Sequence, residues 1–441
     1  MKFIADLHIH SKYSRATAKN LDFENIHIAA QKKGISVIAT GDFTHPAWFS
    51  EIKEKCNPLE NGLFKLKDSI LRHADQQVPP VCQKGLQFIL SCEISNIYKK
   101  NGKVRKNHNI VFLPDMQSAE RFNRKMERIG NIRSDGRPVL GLDARDLLEI
   151  VLETSETAFL IPAHIWTPWF SIFGSKSGFD ALEECFEDLT PHIFALETGL
   201  SSDPEMNWRV SNLKGLTLVS NSDAHSTEKI AREANLFDTE LSFSGIRSAL
   251  MDKKRSLFKG TFEFFPEEGK YHLDGHRKCG VRLKPEETQK YQGLCPKCGK
   301  PLTLGVLHRI SELADLNEGK RPDGAIPFYR LLPLSEILSE VLEVGPASKK
   351  VKAAQDKIIK KYGPELTILH ELPLKSLEGI DIPLFKEALR RVRNYEIFIQ
   401  PGYDGEFGTV RIFTDYERRK LLGQRDLFAL KEAEKATLNM E

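Results

Sequence analysis

The stretch Phe3-Ile4-Ala5-Asp6-Leu7-His8-Ile9-His10, near the start of the 441-residue chain, decides how the rest is interpreted. Its first five residues are apolar except for Asp6, which predicts a short buried strand. Side chains two residues apart on a strand point the same way, so His8 and His10 would present their imidazoles together. Two imidazoles beside a carboxylate suit Zn, Mn or Fe better than Mg or Ca, which prefer oxygen ligands. The stretch therefore predicts one edge of a metal site, with Asp6 supporting the imidazoles rather than binding the metal.

The composition is that of an ordinary globular protein with no membrane segment. The net charge of +3 permits nucleic-acid binding without arguing for it. No apolar run approaches the roughly 18 residues of a membrane span, and Asp6 and His8 interrupt the N-terminus before a signal-peptide core could form. The seven cysteines, an odd number, argue against a disulfide framework. We expect a cytoplasmic protein.

Seven short apolar runs alternate with helical patterns in the first 250 residues. The runs cover residues 3–7, 37–40, 88–91, 110–113, 159–162, 193–196 and 216–219. Alternating strands and helices predict a parallel sheet with right-handed crossovers, and seven such units would close into a barrel. In barrels of this kind, the chemistry lies at the C-terminal ends of the strands.

Side chains that bind metals follow or border these predicted strands. They are His8 and His10 at the first, Asp42 and His45 at the second, Glu93 at the third, His108 at the fourth, His164 at the fifth, Glu197 at the sixth, and Asp223 and His225 at the seventh. Any one of them alone would be unremarkable as a surface or core residue. Together they predict a cluster of metals at one end of the barrel.

With these residues at these positions, the chain resembles the PHP (polymerase and histidinol phosphatase) domains. The resemblance implies a distorted (β/α)7 barrel that holds two or three divalent metals, and hydrolysis of a phosphoester by metal-activated water. Carried over residue by residue, it implies three ligand sets and makes Glu93, Asp223 and His225 catalytic. The sets are His8, His10, Glu93 and Asp223 for one metal, Glu93, His108 and His164 for a second that shares Glu93, and Asp42 or His45 with His225 for a third.

The chain departs from the common PHP pattern at two places. Many members carry a further His where this chain has Ser14-Arg15, and many have Asp-His where this chain has Asp42-Phe43 with His45 two residues later. The choice between Asp42 and His45 in the third set therefore stays open. Zn, Mn and Fe all suit these ligands, so the metal's identity stays open as well.

A second metal motif lies past the predicted barrel. Cys279 is followed by Cys295-Pro296-Lys297-Cys298-Gly299, and His276 precedes Cys279 by three residues. Thiolate-rich sites with this spacing are structural zinc ribbons, so His276, Cys279, Cys295 and Cys298 are predicted to hold one Zn, with His272 as the alternative to His276. The ribbon is rich in Lys and Arg, which favours contact with a polyanion; a plain solvated surface is the alternative.

The C-terminal region is predicted to be mainly helical and basic. Ser348 followed by Lys349 and Lys350 predicts a capped helix start that can anchor a DNA phosphate. Segment 99–106, just before His108, predicts a basic hairpin with an Asn-Gly turn. Residues 397–413 predict two strands around a glycine-rich loop, for which the sequence indicates no chemistry.

Barrel, ribbon and basic helical unit, in this order, resemble the endonuclease Q family. We predict a nuclease domain over 1–265, a zinc ribbon over 266–310, a mainly helical domain over 311–420 and a tail over 421–441. In the tail, Gln424-Arg425-Asp426-Leu427-Phe428 resembles the peptide that binds bacterial sliding clamps, with Gln424, Leu427 and Phe428 at its defining positions. The alternative is an amphipathic tail that packs on its own protein.

The resemblance implies a DNA repair endonuclease that cuts 5′ of deaminated bases (uracil, hypoxanthine, xanthine) and of abasic sites. Reading one base requires extruding its nucleotide from the duplex. The loop after His164 is the predicted base-reading segment, through Trp166, Trp169, Ser171, Gly174, Ser175 and Lys176. One alternative is a small-molecule phosphoesterase of the histidinol-phosphatase type, which leaves the ribbon without a purpose. Another is a non-catalytic, metal-stabilised scaffold tethered to the clamp, which has no need for both Glu93 and Asp223.

Overall fold

A computed structural model of the chain describes residues 1–423. The strands are β1 (Lys2–Asp6), β2 (Val37–Ala39), β3 (Cys56–Pro58), β4 (Phe64–Leu66), β5 (Gln87–Ile89), β6 (Ser91–Lys100), β7 (Lys103–Phe112), β8 (Val139–Leu140), β9 (Phe159–Pro162), β10 (Ala195–Glu197), β11 (Thr217–Val219), β12 (Ala234–Asp238), β13 (Phe258–Glu263), β14 (Asp274–His276), β15 (Val281–Leu283), β16 (Phe328–Arg330), β17 (Phe398–Gln400) and β18 (Thr409–Arg411). The α-helices are α1 (Phe23–Lys33), α2 (Pro46–Lys55), α3 (Asp68–Asp75), α4 (Met116–Ile129), α5 (Ala144–Thr154), α6 (Leu182–Phe186), α7 (Pro204–Asn207), α8 (Phe243–Met251), α9 (Pro285–Lys290), α10 (Val306–Leu313), α11 (Leu334–Leu342), α12 (Lys349–Tyr362), α13 (Phe385–Arg393) and α14 (Asp415–Leu421). Short 3-10 helices cover Pro80–Cys82, Glu187–His192, Ser211–Leu213, Thr227–Lys229, Pro266–Glu268, Arg277–Cys279 and Leu374–Leu377, and one π-helical turn covers Thr367–Glu371.

Each of the seven predicted runs contains or borders a strand, but the strands do not form one parallel sheet. β1, β2 and β5 pair in parallel, as do β10 and β11. β6 and β7 instead pair antiparallel from Ser91↔Phe112 to Lys100↔Lys103, and β7 pairs antiparallel with β9. The expectation of a wholly parallel sheet is therefore wrong. The antiparallel pairing of β6 and β7 follows from the two-residue turn at Asn101-Gly102, because so short a connection joins only antiparallel strands.

The hydrogen-bonded strands fall into two large groups and smaller pairs. One sheet has the order β16-β13-β12-β1-β2-β5-β4-β3, and a second has the order β8-β6-β7-β9. Single backbone hydrogen bonds, such as Ile165 N to Glu197 O at 3.1 Å, connect neighbouring groups. Closure into a seven-stranded barrel stays a prediction.

The first and the last metal-binding segments meet because their strands end side by side. The amide of His10 donates to the carbonyl of Ala224 at 3.1 Å, and Ile9 and Ala224 form a parallel bridge. Asp6 fixes this junction, since its two carboxylate oxygens accept the amides of Ser222 (3.1 Å) and Ala231 (3.0 Å). Asp6 thus supports the backbone beside the ligands rather than the imidazoles themselves.

The C-terminal helical unit packs on the first part of the chain. β16 adds in parallel to β13, so a strand from the predicted third domain extends the sheet of the first. Lys33 on α1 forms a buried ion pair with Glu365 at 2.7 Å, and Glu365 also accepts the amide of Leu334 at the start of α11. The ribbon has a small core of its own around Val281, Cys295 and Leu302. The predicted domain boundaries stay a prediction. Over residues 1–423, no helix is long and apolar enough to cross a membrane.

Candidate metal centre

Two groups of metal-binding side chains lie side by side. His8, His10, His164 and Asp223 follow strands, whereas Glu93 and His108 lie within β6 and β7. His8, His10 and Asp223 form one group, and Glu93, His108 and His164 form the other; within each, the candidate ligand atoms lie within 4.8 Å of one another. These are the first two ligand sets that the PHP resemblance implies.

Glu93 joins the two groups through its two carboxylate oxygens. Its Oε2 is 3.4 Å from His10 Nε2 and 3.8 Å from His8 Nε2. Its Oε1 is 2.7 Å from His108 Nδ1 and 3.1 Å from His164 Nε2. Burial alone would raise the pKa of Glu93, but the charges of His108 and Arg137 hold that pKa well below its usual range. An ionised carboxylate with one oxygen at each group has the geometry of a bridging ligand.

The donor atoms of the first group fit a bound cation. His8 Nε2, His10 Nε2 and Asp223 Oδ1 are buried, and none makes a hydrogen bond of good geometry among residues 1–423, although His10 Nε2 lies 3.0 Å from Asp223 Oδ1. Buried polar atoms without partners are rare in folded proteins and call for an explanation. Nitrogen and carboxylate donors converging in this way suit Zn, Mn or Fe. These residues can therefore hold the metals that the resemblance implies.

Glu197 orients one ligand in each group by hydrogen bonds to His8 and His164. Its carboxylate oxygens lie 3.0 and 3.2 Å from His8 Nδ1, and Oε2 also accepts the amide of His164 at 2.8 Å. Asn221 donates to Oε1 at 2.9 Å. A carboxylate at Nδ1 favours the tautomer that keeps the other ring nitrogen of His8 free for a metal. The sequence predicts Glu197 at a strand end, but only the structure reveals this role.

Asp42 holds His10 in the same way. Its Oδ1 is 3.1 Å from His10 Nδ1, while its Oδ2 accepts hydrogen bonds from Ser11 and from the Ser14 hydroxyl at 2.8 Å. Burial would raise the pKa of Asp42, but His10 and Ser11 together lower it. Asp42 therefore supports His10 as an ionised carboxylate, and both of its oxygens already have hydrogen-bond partners. Ser14, at the position where many PHP proteins carry a His, supplies one of these hydrogen bonds.

His45 and His225, the other residues of the predicted third metal set, lie in different surroundings. His45 Nε2 donates to the carbonyl of Arg133 at 3.0 Å, and its ring stacks on Tyr13 with centroids 4.5 Å apart. The His225 ring lies 4.6 Å from the His10 ring, tilted by 57°, at the rim of the centre, with its side chain 31% exposed. The structure thus brings His225 to the centre and leaves His45 engaged elsewhere. A third metal stays a prediction.

Arg137 is the cation at this centre that sequence analysis missed. Its Nη1 lies 3.1 Å from Glu93 Oε2, and its side chain is 26% exposed. The neighbouring carboxylate of Glu93 is the main cause that raises the pKa of Arg137. The loop that carries Arg137 packs tightly, since a Cβ at Gly136 would lie 2.3 Å from Asp42 Oδ2. In the sequence, Arg137 follows only a short Asp135-Gly136 turn, and no motif there indicates a role at the metal centre.

Three residues at the centre have strained backbones. Asp42, His164 and Asp223 each follow a strand directly or closely and have φ values of 48°, 29° and 45°. Residues other than glycine rarely adopt these left-handed conformations. Such strain clusters at functional sites, where the surrounding structure holds it in place.

The four predicted ligands of the ribbon also come together. The Cys279, Cys295 and Cys298 sulfurs and a ring nitrogen of His276 lie within 4.8 Å of one another. Cys298 Sγ is 3.6 Å from His276 Nδ1. His272, the alternative ligand, is buried elsewhere with only 7% of its surface exposed. The arrangement favours His276 and leaves no open position, as in structural zinc sites.

The loop after His164 presents only some of the predicted base-reading residues. Trp166 is 1% exposed and donates through Nε1 to Asn207, and Ser171 is fully buried and donates to the carbonyl of Thr167. Both side chains are packed in the core of this structure, so their contact with a base stays a prediction. Gly174 is also buried, while Ser175 and Lys176 are exposed.

Trp169 is 46% exposed and borders a cavity of about 300 Å³ next to the metal centre. Thr167, Tyr271 and His272 line the same cavity. Thr167 Oγ1 lies 3.3 Å from His164 Nδ1, which connects the cavity wall to a metal-binding residue. Burial lowers the pKa of His272 to about 4, so its imidazole is neutral, and its Nδ1 has no hydrogen-bond partner among residues 1–423.

The remaining predictions concern DNA and clamp contacts. Ser348 caps α12, accepting the amide of Val351 at 3.3 Å, which confirms the predicted helix start. Lys349 and Lys350 are exposed, and their contact with DNA stays a prediction. The clamp-binding residues Gln424, Leu427 and Phe428 lie outside the described residues.

Sequence comparisons relate the chain to proteins without a described function. Residues 333–396 match the family model of the MJ0043 C-terminal domain. The chain is 34% identical over 253 residues to the uncharacterized protein MJ0043 of Methanocaldococcus jannaschii, and the match spans 56% of this chain but only 31% of that protein. It is 28% identical over 430 residues to the uncharacterized protein YqxK of Bacillus subtilis, which covers 93% of this chain and 99% of YqxK.

Comparison with solved structures gives matches along nearly the whole chain. The lesion-specific endonuclease PfuEndoQ from Pyrococcus furiosus superposes with a TM-score of 0.81 and 30% identity, covering 98% of this chain and 99% of that one. A complex of endonuclease Q with a 27-mer duplex that has an abasic lesion at the active site gives a TM-score of 0.79 and 30% identity, covering 98% and 100%.

Proposed function

Because this chain belongs to the endonuclease Q family, we propose that it is a DNA repair endonuclease that hydrolyses the phosphodiester 5′ of deaminated bases and abasic sites. The observation that carries the proposal is the pair of ligand groups joined by Glu93, in a chain that matches endonuclease Q over 98% of its length. Two adjacent cation sites suit hydrolysis at phosphorus, where negative charge grows on several oxygens at once.

The cofactors that we propose are two or three Zn, Mn or Fe ions in the centre and one Zn in the ribbon. His8, His10, Glu93 and Asp223 would hold one ion of the centre, and Glu93, His108 and His164 a second. When bound, these ions would activate the attacking water and neutralise charge on the phosphate. Glu197 and Asp42 keep the imidazoles in the orientation that the ions need.

Arg137 is the residue that we assign to the scissile phosphate. Its guanidinium contacts Glu93 and its side chain is 26% exposed, so it can donate to a non-bridging phosphate oxygen. Such a donor acts most strongly when it is already in place before charge develops. The ion pair with Glu93 holds the guanidinium there. His225, at the rim and a third exposed, can carry a proton between the site and solvent.

Lesion recognition, in our proposal, takes place in the cavity beside His164. A base within a duplex is reached by extruding its nucleotide, and a damaged or mispaired base costs less to unstack. The cavity is lined by the aromatic rings of Trp169 and Tyr271 and by His272. Its volume of about 300 Å³ is at the small end of ligand pockets, which suits one base. Deaminated bases share a ring N–H beside a carbonyl, and a neutral imidazole can hydrogen-bond to such an edge.

The test is nicking of end-labelled duplexes that contain uracil, hypoxanthine, an abasic site or no lesion, with and without chelator. We expect a single cut 5′ of each lesion, with a 3′-hydroxyl and a 5′-phosphate, and no cut after chelation. Histidinol phosphate serves as the small-molecule comparison. Turnover of that ester without lesion-dependent nicking would overturn the proposal in favour of a small-molecule phosphoesterase.

A further inference from the structure

The glycine-rich loop between β17 and β18 is held firmly against the start of the ribbon. Three loop amides donate to one short segment: Gly402 to Glu267 O (2.8 Å), Gly405 to Lys270 O (3.0 Å) and Gly408 to Glu268 O (3.0 Å). Both ends of the loop and its middle are thus tied to residues 267–270. The loop is a fixed platform rather than a free hairpin tip.

Glycine and Asp404 make this close approach possible. A Cβ at Gly402 would lie 2.4 Å from Gly269 O, and one at Gly408 would lie 2.1 Å from Glu267 O. The carboxylate of Asp404 accepts the amide of Arg277 and the hydroxyl of Thr303, each at 2.6 Å. The Asp404 carboxylate is therefore engaged in hydrogen bonds within the protein.

Phe407 stands out from this platform with 70% of its surface exposed. Among the large apolar residues between 1 and 423, only Met1 is more exposed, at 76%. The ammonium of Lys270 lies 4.7 Å from the centre of the Phe407 ring. The Phe407 ring is thus held in solvent on a fixed loop beside a cation, where it can contact a ligand.

A continuous row of residues joins Phe407 to the metal centre. Lys270 is followed by Tyr271, whose ring centroid lies 6.3 Å from that of Trp169. Thr167 donates to the carbonyl of Trp169 at 2.9 Å, and the same hydroxyl lies 3.3 Å from His164 Nδ1. Phe407 is thus the outermost aromatic residue of a row that starts at a metal ligand and passes along the cavity.

We propose that Phe407 is a wedge that enters the base stack at the lesion and fills the space left by the extruded nucleotide. This inference rests on the proposed function and adds a residue to it. Extruding a base loses its stacking, and apolar side chains that enter a base step compensate by contacting the exposed base faces. Lys270, Arg277 and Arg282 surround the loop and supply positive charge for the flanking phosphates. Duplex DNA matches this combination of one aromatic ring and several cations, whereas an apolar protein partner would leave the cations without counter-charges.

The test compares Phe407→Ala, Phe407→Trp and the control Phe398→Ala, since Phe398 is 45% exposed on the same hairpin but is not in the row. Single-turnover nicking is measured on a uracil duplex and on one whose uracil lies in a short unpaired bubble. In an Asp223→Asn background, which blocks cleavage without a chelator that would also remove the ribbon zinc, 2-aminopurine next to the lesion reports unstacking on binding.

We expect Phe407→Ala to slow nicking of the paired duplex about tenfold to a hundredfold and to reduce the 2-aminopurine signal. The defect should shrink on the bubble, where no stack has to be opened, and Phe407→Trp and Phe398→Ala should stay close to wild type. Nicking and fluorescence within twofold of wild type, or an equal loss on both substrates, would overturn the wedge. Failure of wild-type protein to nick any lesion duplex would instead refute the proposed function, and the wedge with it.

Discussion

Arg137 Nη1 lies 3.1 Å from Glu93 Oε2, the carboxylate oxygen that also faces His8 and His10. A fixed positive charge therefore borders the proposed bridging ligand. The guanidinium neutralises part of the negative charge of the cluster and remains available to an incoming phosphate. This arrangement makes the roles of Arg137 and Glu93 separable by experiment.

Replacing Arg137 with Ala should slow lesion-dependent nicking about 100-fold while leaving the metal content unchanged, because the guanidinium stabilises charge on the phosphate but binds no metal. Arg137→Lys should restore only part of the rate, since an ammonium lacks the planar two-donor geometry. Single-turnover kinetics and metal analysis by mass spectrometry check both variants. Arg133→Ala is the matched control, because Arg133 lies in the same loop and its side chain is 67% exposed. A rate within twofold of wild type for Arg137→Ala would contradict the assignment.

Replacing Glu93 with Gln should lower the occupancy of both metal positions at once, because each carboxylate oxygen serves a different group. Loss of activity should then be larger than for Arg137→Ala. Metal titration of the demetallated protein measures the two affinities. Loss of only one metal would show that Glu93 does not bridge. Glu153→Gln, on the surface with 61% of its side chain exposed, is the control.

Removing the carboxylate of Glu197 should weaken metal binding about 10- to 100-fold although Glu197 binds no metal itself. The physical reason is its contact with both His8 Nδ1 and the amide of His164, which orients one ligand in each group. Glu197→Gln preserves the shape but loses the charge, so its metal affinity should fall between those of wild type and Glu197→Ala. Unchanged affinity in both variants would mean that the imidazoles are held by packing alone.

Replacing Cys295 with Ser should remove one Zn per chain and unfold the ribbon, because four-ligand zinc sites contribute folding free energy directly. Cys295 is 2% exposed within the small ribbon core, so the loss should spread to Val281 and Leu302. Zinc analysis and hydrogen exchange over residues 274–303 measure the effect. Cys185→Ser is the control, since Cys185 is equally buried but belongs to no ligand group in the described part of the chain. Equal zinc content in the two variants would contradict a ribbon site.

Most ligands of the centre could be predicted from the sequence because His8, His10, His164 and Asp223 follow strands, and strand ends converge in a barrel-like sheet. Glu93 and His108 instead lie within β6 and β7. The Asn101-Gly102 hairpin was also predictable, although the antiparallel pairing that it imposes on β6 and β7 conflicts with a parallel sheet. The role of Arg137 was not predictable, because it depends on a loop that packs against Asp42 far away in sequence. The burial of Trp166 and the exposure of Trp169 were not predictable from the sequence either. The two tryptophans are neighbours on one loop and differ only in the side of the fold that they face.

The cavity beside His164 makes a prediction that separates base reading from backbone cleavage. His272→Phe and Tyr271→Ala should slow nicking at uracil and hypoxanthine about tenfold or more, because each removes a group that lines the cavity where the base would lie. Nicking at an abasic site should stay close to wild type in both variants, since that lesion has no base to bind. The ratio of the two rates for each variant is the measurement, and it is insensitive to differences in protein stability or active fraction. A parallel loss on all three lesions would place Tyr271 and His272 in the support of the metal centre instead. Unchanged rates on all three would mean that the deaminated base is read elsewhere.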